Sequence, residues 1–240
     1  MARASGHTAV MASRREAPAS LDFFPTPPWA TRALLAHVIP DASGLAWEPA
    51  SGEGHMAAVL AEHFAEVWRT DVHDYGGLNA LGSFTGSGPD VVAGPLLRPD
   101  WIITNPPFNL AVEFVERALT EAGQGVAVLV RTAWLEGAER YERLFRDSPP
   151  TIVAPFVERV PMVKGRWDPD ASTATAYAWI VWRRCPLLPG QSGLGSWATG
   201  GATLIWIPPG CRQRLEHADD RRRFTAAEAE GPTLFDEVLA

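Results

Sequence analysis

Lysine is nearly missing from this chain: Lys164 stands alone among 21 basic residues, a bias toward arginine that carries no functional reading by itself. Cysteine is as scarce. Cys185 and Cys211 are far apart and accompanied by no ligand-spaced histidines, which excludes a disulfide framework and a zinc motif and fits a reducing compartment. No apolar run reaches the roughly 20 residues that a membrane-spanning helix needs. Basic charge is in deficit, with 21 Lys and Arg against 28 Asp and Glu and a net charge of -7. Bulk electrostatics therefore cannot hold a nucleic acid, and any such contact must be local. The sequence also contains no internal repeat.

What is present describes an ordinary globular chain. Its 240 residues, 46% of them hydrophobic, with a mean hydropathy of -0.06, suit one α/β domain with a buried core. Gly and Pro number 21 each, which predicts plentiful turns without reaching low-complexity levels. Residues 1–20 are small, polar and arginine-bearing and read as a disordered tail. They lack a secretory apolar segment, and Glu16 interrupts any likeness to a transit peptide. The body is expected over 21–184, and residues 185–240, rich in Pro, Gly and Ser at their start, read as a short appendage and tail. Arg221, Arg222 and Arg223 within it read as a solvated face.

Short apolar runs alternate with helical stretches from Leu21 onward, the pattern of strands and helices around a mostly parallel sheet. Strands are expected at Gly44–Trp47, Glu66–Thr70, Asp90–Val92, Trp101–Thr104, Val126–Val130, Thr151–Phe156 and Thr175–Trp182, seven in all, with a short further candidate at Thr203–Ile207. Helices are expected over about ten residues from Met56, over Leu110–Glu121 and over Gly137–Phe145.

Two segments carry chemistry. In Trp47-Glu48-Pro49-Ala50-Ser51-Gly52-Glu53-Gly54 a strand ends in an acid and enters a Gly-x-Gly turn before a helix. Glycines let a backbone approach a ligand closely, and the acid before the turn favours a ligand bearing an amino group over a pyrophosphate. Asp71 follows the second strand where nucleotide-binding α/β folds place an acid on ribose hydroxyls. The nearby His73 and Asp74 read as loop residues, and no metal is expected. The second segment is Trp101-Ile102-Ile103-Thr104-Asn105-Pro106-Pro107-Phe108. Its two prolines fix the backbone beyond a strand and remove two N–H donors, leaving an acceptor site. The Asn105 side-chain oxygen and the Pro106 carbonyl can take the two hydrogens of one amino group, and Phe108 offers a face to a planar ring.

At these residues the chain resembles the adenine-N6 DNA methyltransferases with an Asn-Pro-Pro-Phe motif, on the S-adenosylmethionine-dependent methyltransferase fold. The likeness spans Leu21 to Arg184. Phe23-Phe24-Pro25-Thr26-Pro27-Pro28 is similar to the amino-terminal cofactor motif of that family, and Glu48 to Gly54 to its glycine motif. The resemblance implies an α/β class I, Rossmann-like fold with seven mostly parallel strands, the last one antiparallel, and helices on both faces. It implies S-adenosylmethionine as cofactor, with Glu48, Gly52 and Gly54 around its methionine part, Thr26 on the methionine carboxylate, Asp71 on the ribose and Asp90 toward the adenine, and with Pro27, Pro49, Ala50 and Asn105 also among the cofactor-binding residues. It makes Asn105, Pro106, Pro107 and Phe108 the catalytic set, and a cytoplasmic protein of bacterial or phage type the source.

The expected reaction transfers a methyl group to the exocyclic amine of an adenine flipped out of a duplex or presented on a single strand. Sequence readout would fall to loops, chiefly Val157–Ala171, where Arg159, Lys164, Arg166 and Trp167 gather. Related motifs act on RNA or on glutamine amides of proteins, and a non-catalytic nucleic-acid-binding module on the same fold is the non-enzyme reading. Near the carboxyl end, Leu234 and Phe235 partly resemble a sliding-clamp docking peptide, with Gly231 and Pro232 where that motif prefers Gln and Leu.

Overall fold

The computed structural model describes residues 22–86, 90–185, 193–198 and 200–225. The amino-terminal tail over 1–20 and the Leu234-Phe235 pair lie outside them.

Helix α1, Pro28–His37, starts on a proline, which suits a position whose N–H would be unpaired in any case. It is followed by β1, Leu45–Glu48, α2, His55–Leu60, and β2, Glu66–Asp71. A two-residue β3, Ala80–Leu81, precedes β4, Trp101–Thr104, α3, Ala111–Glu121, and β5, Gly125–Arg131. A short α4, Ala138–Arg140, runs into a wider turn over Tyr141–Phe145 and leads to β6, Ile152–Pro155, and β7, Tyr177–Arg183. The chain then adds β8, Thr203–Leu204, α5, Cys211–Leu215, and α6, Ala218–Thr225.

The sheet order is β3-β2-β1-β4-β5-β7-β6-β8. Strands β3 through β5 run parallel, and β7 enters antiparallel between β5 and β6. Strand β5 is buried at six of its seven residues, as expected of a central strand covered on both faces. Alternation then divides the core. Trp101, Ile103, Ala127, Leu129, Tyr177 and Trp179 pack under α1 and α2, while Ile102, Val126, Val128, Val130, Ala178 and Ile180 pack under α3. Helix α3 meets them with Ala111, Phe114, Val115, Ala118 and Leu119, a helical stripe at i, i+3, i+4, i+7 and i+8.

The structure departs from the sequence reading in several places, among them helices α5 and α6, which had no counterpart in it, and the expected helix Gly137–Phe145, which is only Ala138–Arg140 followed by the wider turn. Among the described residues it has eight strands, because β8 pairs parallel with β6 along the Thr203-Leu204 segment. The third strand is Ala80–Leu81, with Asp90–Val92 reduced to a flanking segment that hydrogen-bonds Ser83 on both sides. Helix α2 stops after six residues, where Ala61–Phe64 turn tightly back toward β2.

The carboxyl-terminal helices close over the amino-terminal one. Arg32 of α1, 8% exposed, donates Nη1 to Asp220 Oδ2 at 2.6 Å and Nη2 to Asp220 Oδ1 at 2.8 Å. It also donates to the Leu215 carbonyl and to Glu62. Burial alone would raise the Asp220 carboxyl, but the Arg32 hydrogen bonds, the His217 amide and the Arg32 charge together hold it below the ordinary range. Arg221, Arg222 and Arg223 are exposed.

Candidate active site

A cavity of about 400 Å³ opens at the carboxyl ends of β1, β2 and β4, where open α/β sheets bind their ligands. Its wall has a polar group hydrogen-bonded around the glycine turn, Glu48, Ser51 and Asp71, and an aromatic pair, Phe84 and Phe114, packed 4.9 Å apart, with Thr26, His55, Ser83, Thr85, Pro107 and Leu110 also in the lining. A ligand with a planar ring and a charged group matches this composition.

The Gly-x-Gly turn makes the floor. Gly52 and Gly54 have φ of +50° and +89°, the left-handed region that favours glycine. A side chain at Gly52 would drive a Cβ into the Phe23 ring, and one at Gly54 would bring a Cβ to 2.5 Å from the Arg69 guanidinium. The Gly52 N–H donates to Asp71 Oδ2 at 2.8 Å, and the His73 N–H donates to Asp71 Oδ1 at 3.1 Å. Asp71 thus fixes the turn and keeps lone pairs to spare in the cavity wall. Glu48 is 2% exposed and accepts a hydrogen bond from Ser51 Oγ. Burial pushes its carboxyl well above the ordinary range, with the Ser51 hydrogen bond and the Arg69 charge opposing.

Residues 22–26 cross above this floor as a strap. The Phe23 ring lies 5.0 Å from that of Tyr75 and its carbonyl accepts the Gly165 N–H. Phe24 stands 5.3 Å from Phe108, and Asp22 accepts the Phe108 N–H at 2.7 Å. The Phe24 carbonyl takes the Asn105 Nδ2 hydrogen at 3.0 Å. Asn105 Nδ2 also lies 3.5 Å from Met162 sulfur, while Asn105 Oδ1 is buried with no partner. An amide pinned through its donor and left with a bare acceptor is primed to receive a donor from a ligand, because a buried unpaired acceptor costs about 1 to 3 kcal/mol.

The cavity gathers Thr26, Glu48, Pro49, Ala50, Asp71, Asn105 and Pro107 from the expected residues. Gly52, Gly54, Pro27 and Pro106 support it from behind: Pro27 precedes α1 and Pro106 is buried beside Asn105. Asp90 is not brought to it. It is exposed, its carbonyl accepts the Ser83 N–H, and Ser83-Phe84-Thr85 stand in the wall instead, because β3 ends nine residues before Asp90. Phe108 lies outside the lining with the Arg131 guanidinium 4.2 Å from its ring centre. In the basic segment Arg159 is exposed and Arg166 pairs with Asp168 at 3.3 Å, but Trp167 is 5% exposed, packed near His55 and Phe224, so its ring is not offered to a base. Sequence reasoning missed His55 and Tyr75, and it named the strap as a cofactor motif without its contacts to Asn105, Phe108 and Gly165. His55 stood in plain view behind Gly54, and the strap's long-range contacts had no local signal.

No family profile matches the chain and no curated protein matches it. Solved structures do. A protein described as a class I S-adenosylmethionine-dependent methyltransferase from Listeria monocytogenes superposes with a TM-score of 0.52 at 11% identity, over 81% of this chain and 70% of that one. A protein described as a modification subunit of a type I restriction enzyme from Vibrio vulnificus gives 0.47 at 13%, over 84% and 51% of the two chains. One described as an RNA methyltransferase from Pyrococcus horikoshii gives 0.46 at 14%, over 65% and 82%. The last two superpose too loosely to bear on the argument. At such identities the likeness concerns fold, and the fold is that of the class I methyltransferases, with an eighth strand added at the edge.

Proposed function

We propose that this protein transfers a methyl group from S-adenosylmethionine to an amino group, and that the acceptor is the N6 amine of an adenine in DNA. The observation that carries the reading is the pinned Asn105 amide with its bare Oδ1 at the carboxyl end of β4. The cavity suits the cofactor: a buried acid and an Asp-braced glycine turn for its amino-acid and ribose parts, and aromatic and aliphatic side chains for its adenine. S-adenosylmethionine supplies an electrophilic methyl group on a sulfonium.

The chain's own groups supply the rest. An exocyclic amine delocalises its lone pair into the ring, so the site must hold that pair on nitrogen. Asn105 Oδ1 and the Pro106 carbonyl each accept one amino hydrogen, which draws the nitrogen toward a tetrahedral geometry and stabilises the positive charge that develops on it. The Phe24 carbonyl fixes the amide so that no reorganisation is needed at that moment. An adenine in a duplex must leave the stack first, at a cost of a few kcal/mol. Phe108 is the ring nearest the motif, and Arg131 over its face is the group that an entering base would displace or pair with.

The test is tritium transfer from labelled cofactor by the full chain, offered duplex DNA, single-stranded DNA, RNA and protein in parallel, with the product digested to nucleosides. Label in N6-methyladenine of DNA supports the reading. Label in RNA or in a glutamine amide keeps the chemistry and replaces the substrate. Binding of DNA without cofactor binding or transfer overturns the enzyme reading in favour of a binding module.

A further inference from the structure

Behind the glycine turn, His55 opens α2 and stands in the cavity wall next to Ser51 and Met56. Its residue is 2% exposed and its Nε2 is buried without a hydrogen-bond partner. Nδ1 lies 4.0 Å from Glu53 Oε2, beyond hydrogen-bond reach. A leucine of similar volume would fill such a position without an unpaired polar atom, so the imidazole stands at a cost that a ligand contact would remove.

The ring is held from outside the sheet. Phe224 of α6 stacks on it, with centroids 4.3 Å apart and planes at 24°, and Trp167 meets both rings edge-on at 6.3 and 6.1 Å. Helix α6 is in turn latched to α1 by the two-pronged Arg32–Asp220 pair. Three segments far apart in sequence therefore converge to fix one imidazole in the wall of the cavity. His55 follows the turn of Ser51 and Gly54, which carries the Glu48 and Asp71 contacts, while Phe84 and Phe114 pack on each other 4.9 Å apart. Burial and the nearby Arg223 push its pKa down to about 4, so it meets a ligand as a neutral imidazole.

We propose that His55 is a cofactor-contacting residue whose Nε2 hydrogen-bonds the amino-acid end of the cofactor, and that α6, through Phe224, is the element that positions it. The inference rests on the cofactor reading given above and extends it to a helix that no recognised motif covers. It makes the carboxyl-terminal helix part of the cofactor site, with Asp220 and Arg32 acting on affinity only through Phe224.

Titration calorimetry on the full chain separates this contact from a structural role. Two probes are used: S-adenosylhomocysteine, which keeps the amino-acid end, and 5′-deoxy-5′-methylthioadenosine, which lacks it. His55→Ala is expected to weaken S-adenosylhomocysteine by about tenfold, the worth of one hydrogen bond to a charged group, and to leave the truncated nucleoside within twofold. Phe224→Ala should reproduce the selective loss, and Phe224→Tyr, which keeps a ring, should restore affinity. Equal weakening of both probes, or none, overturns the assignment of His55. A selective loss in His55→Ala with no loss in Phe224→Ala overturns the role of α6. A wild-type chain that binds neither probe overturns the cofactor reading itself, which is a separate outcome.

Discussion

Asn105 and Phe24, 81 residues apart, are joined by a 3.0 Å hydrogen bond from the asparagine Nδ2 to the phenylalanine carbonyl. This bond decides which atom of the amide faces a substrate. With the donor occupied, the acceptor Oδ1 remains, and it is buried and bare. We expect Asn105→Ala to reduce methyl transfer by at least two orders of magnitude while cofactor affinity stays within about threefold, since an electrostatic contact of this kind is worth about 2.7 to 4 kcal/mol in the transition state. Single-turnover transfer and equilibrium cofactor binding, measured side by side, check both halves. Turnover within a few-fold of wild type would remove Asn105 from the chemistry.

Glu48 carries a pH signature. Its carboxyl is raised by burial, so the folded protein holds that proton more tightly than the unfolded chain. The stability it contributes is complete below the ordinary carboxylate pKa of about 4.3 and is lost as pH rises from there through the folded value. Glu48→Gln keeps the shape and removes the need to ionise. The ligand-free variant should therefore match the wild type near pH 4 and exceed it in melting temperature by a margin that grows toward pH 8. Cofactor affinity should fall in the same variant, because it no longer presents a buried acid to an ammonium group. Melting curves that stay parallel across the pH range would show that Glu48 ionises without cost.

The parts of the site that lie in one stretch of chain were legible in the sequence. Glu48 to Gly54 and Asn105 to Phe108 each combine a strand end, a fixed backbone and a polar group within eight residues, so their placement at or behind the cavity wall follows from local geometry. The parts made by long-range contacts were not. Nothing in Phe23-Phe24 says that its backbone will brace Asn105, and nothing in His217 to Phe224 says that it will seal the wall behind His55. Strand β3 escaped because two residues are too short to show alternation. Trp167 was misplaced because a tryptophan among cations, glycine and proline reads as a surface residue, while the fold turns it inward against His55. The general architecture was visible because β5 is an uninterrupted, valine-rich apolar run of strand length and α3 carries an unambiguous helical stripe.

The Arg32–Asp220 pair predicts an asymmetry between single and double replacement. Both side chains are under 10% exposed; removing Arg32 leaves the Asp220 charge buried without its partner, whereas removing Asp220 leaves Arg32 with Glu62. Arg32→Met alone should cost about 3 to 5 kcal/mol, Asp220→Asn less because Arg32 keeps Glu62, and Arg32→Met with Asp220→Leu clearly less than the sum of the two singles. The wild-type advantage over Asp220→Asn should be present above the unfolded aspartate pKa of about 3.9 and vanish as pH falls through the lower folded value, since the folded carboxyl is depressed. Denaturant titrations at pH 7 and pH 3 read both effects. A double variant as unstable as the sum of the singles would mean that the two residues act independently.

The basic segment sets the last prediction, and the structure narrows its role. Between β6 and β7 the chain forms a small turn at Val163–Arg166, and the strap ties it to the active face through the Gly165 N–H and the Phe23 carbonyl. Arg159 and Arg166 are exposed, and Lys164 is half-buried. Trp167 is buried, so the segment has cations to offer but not that ring. Cations placed beside the Asn105 motif suit phosphates, and in a chain of net charge -7 they are well placed to supply a local attraction to DNA. Replacing Arg159, Lys164 and Arg166 together by alanine should weaken DNA binding and reduce the slope of log affinity against log salt by about 2 to 3, nearly one for each phosphate that the variant no longer neutralises. Cofactor affinity should not change, because none of the three lines the cavity. Fluorescence anisotropy on a labelled duplex from 50 to 200 mM salt, about the range over which such charge pairing is screened, measures the slope directly. An unaltered slope would place the DNA-contacting cations elsewhere on the molecule.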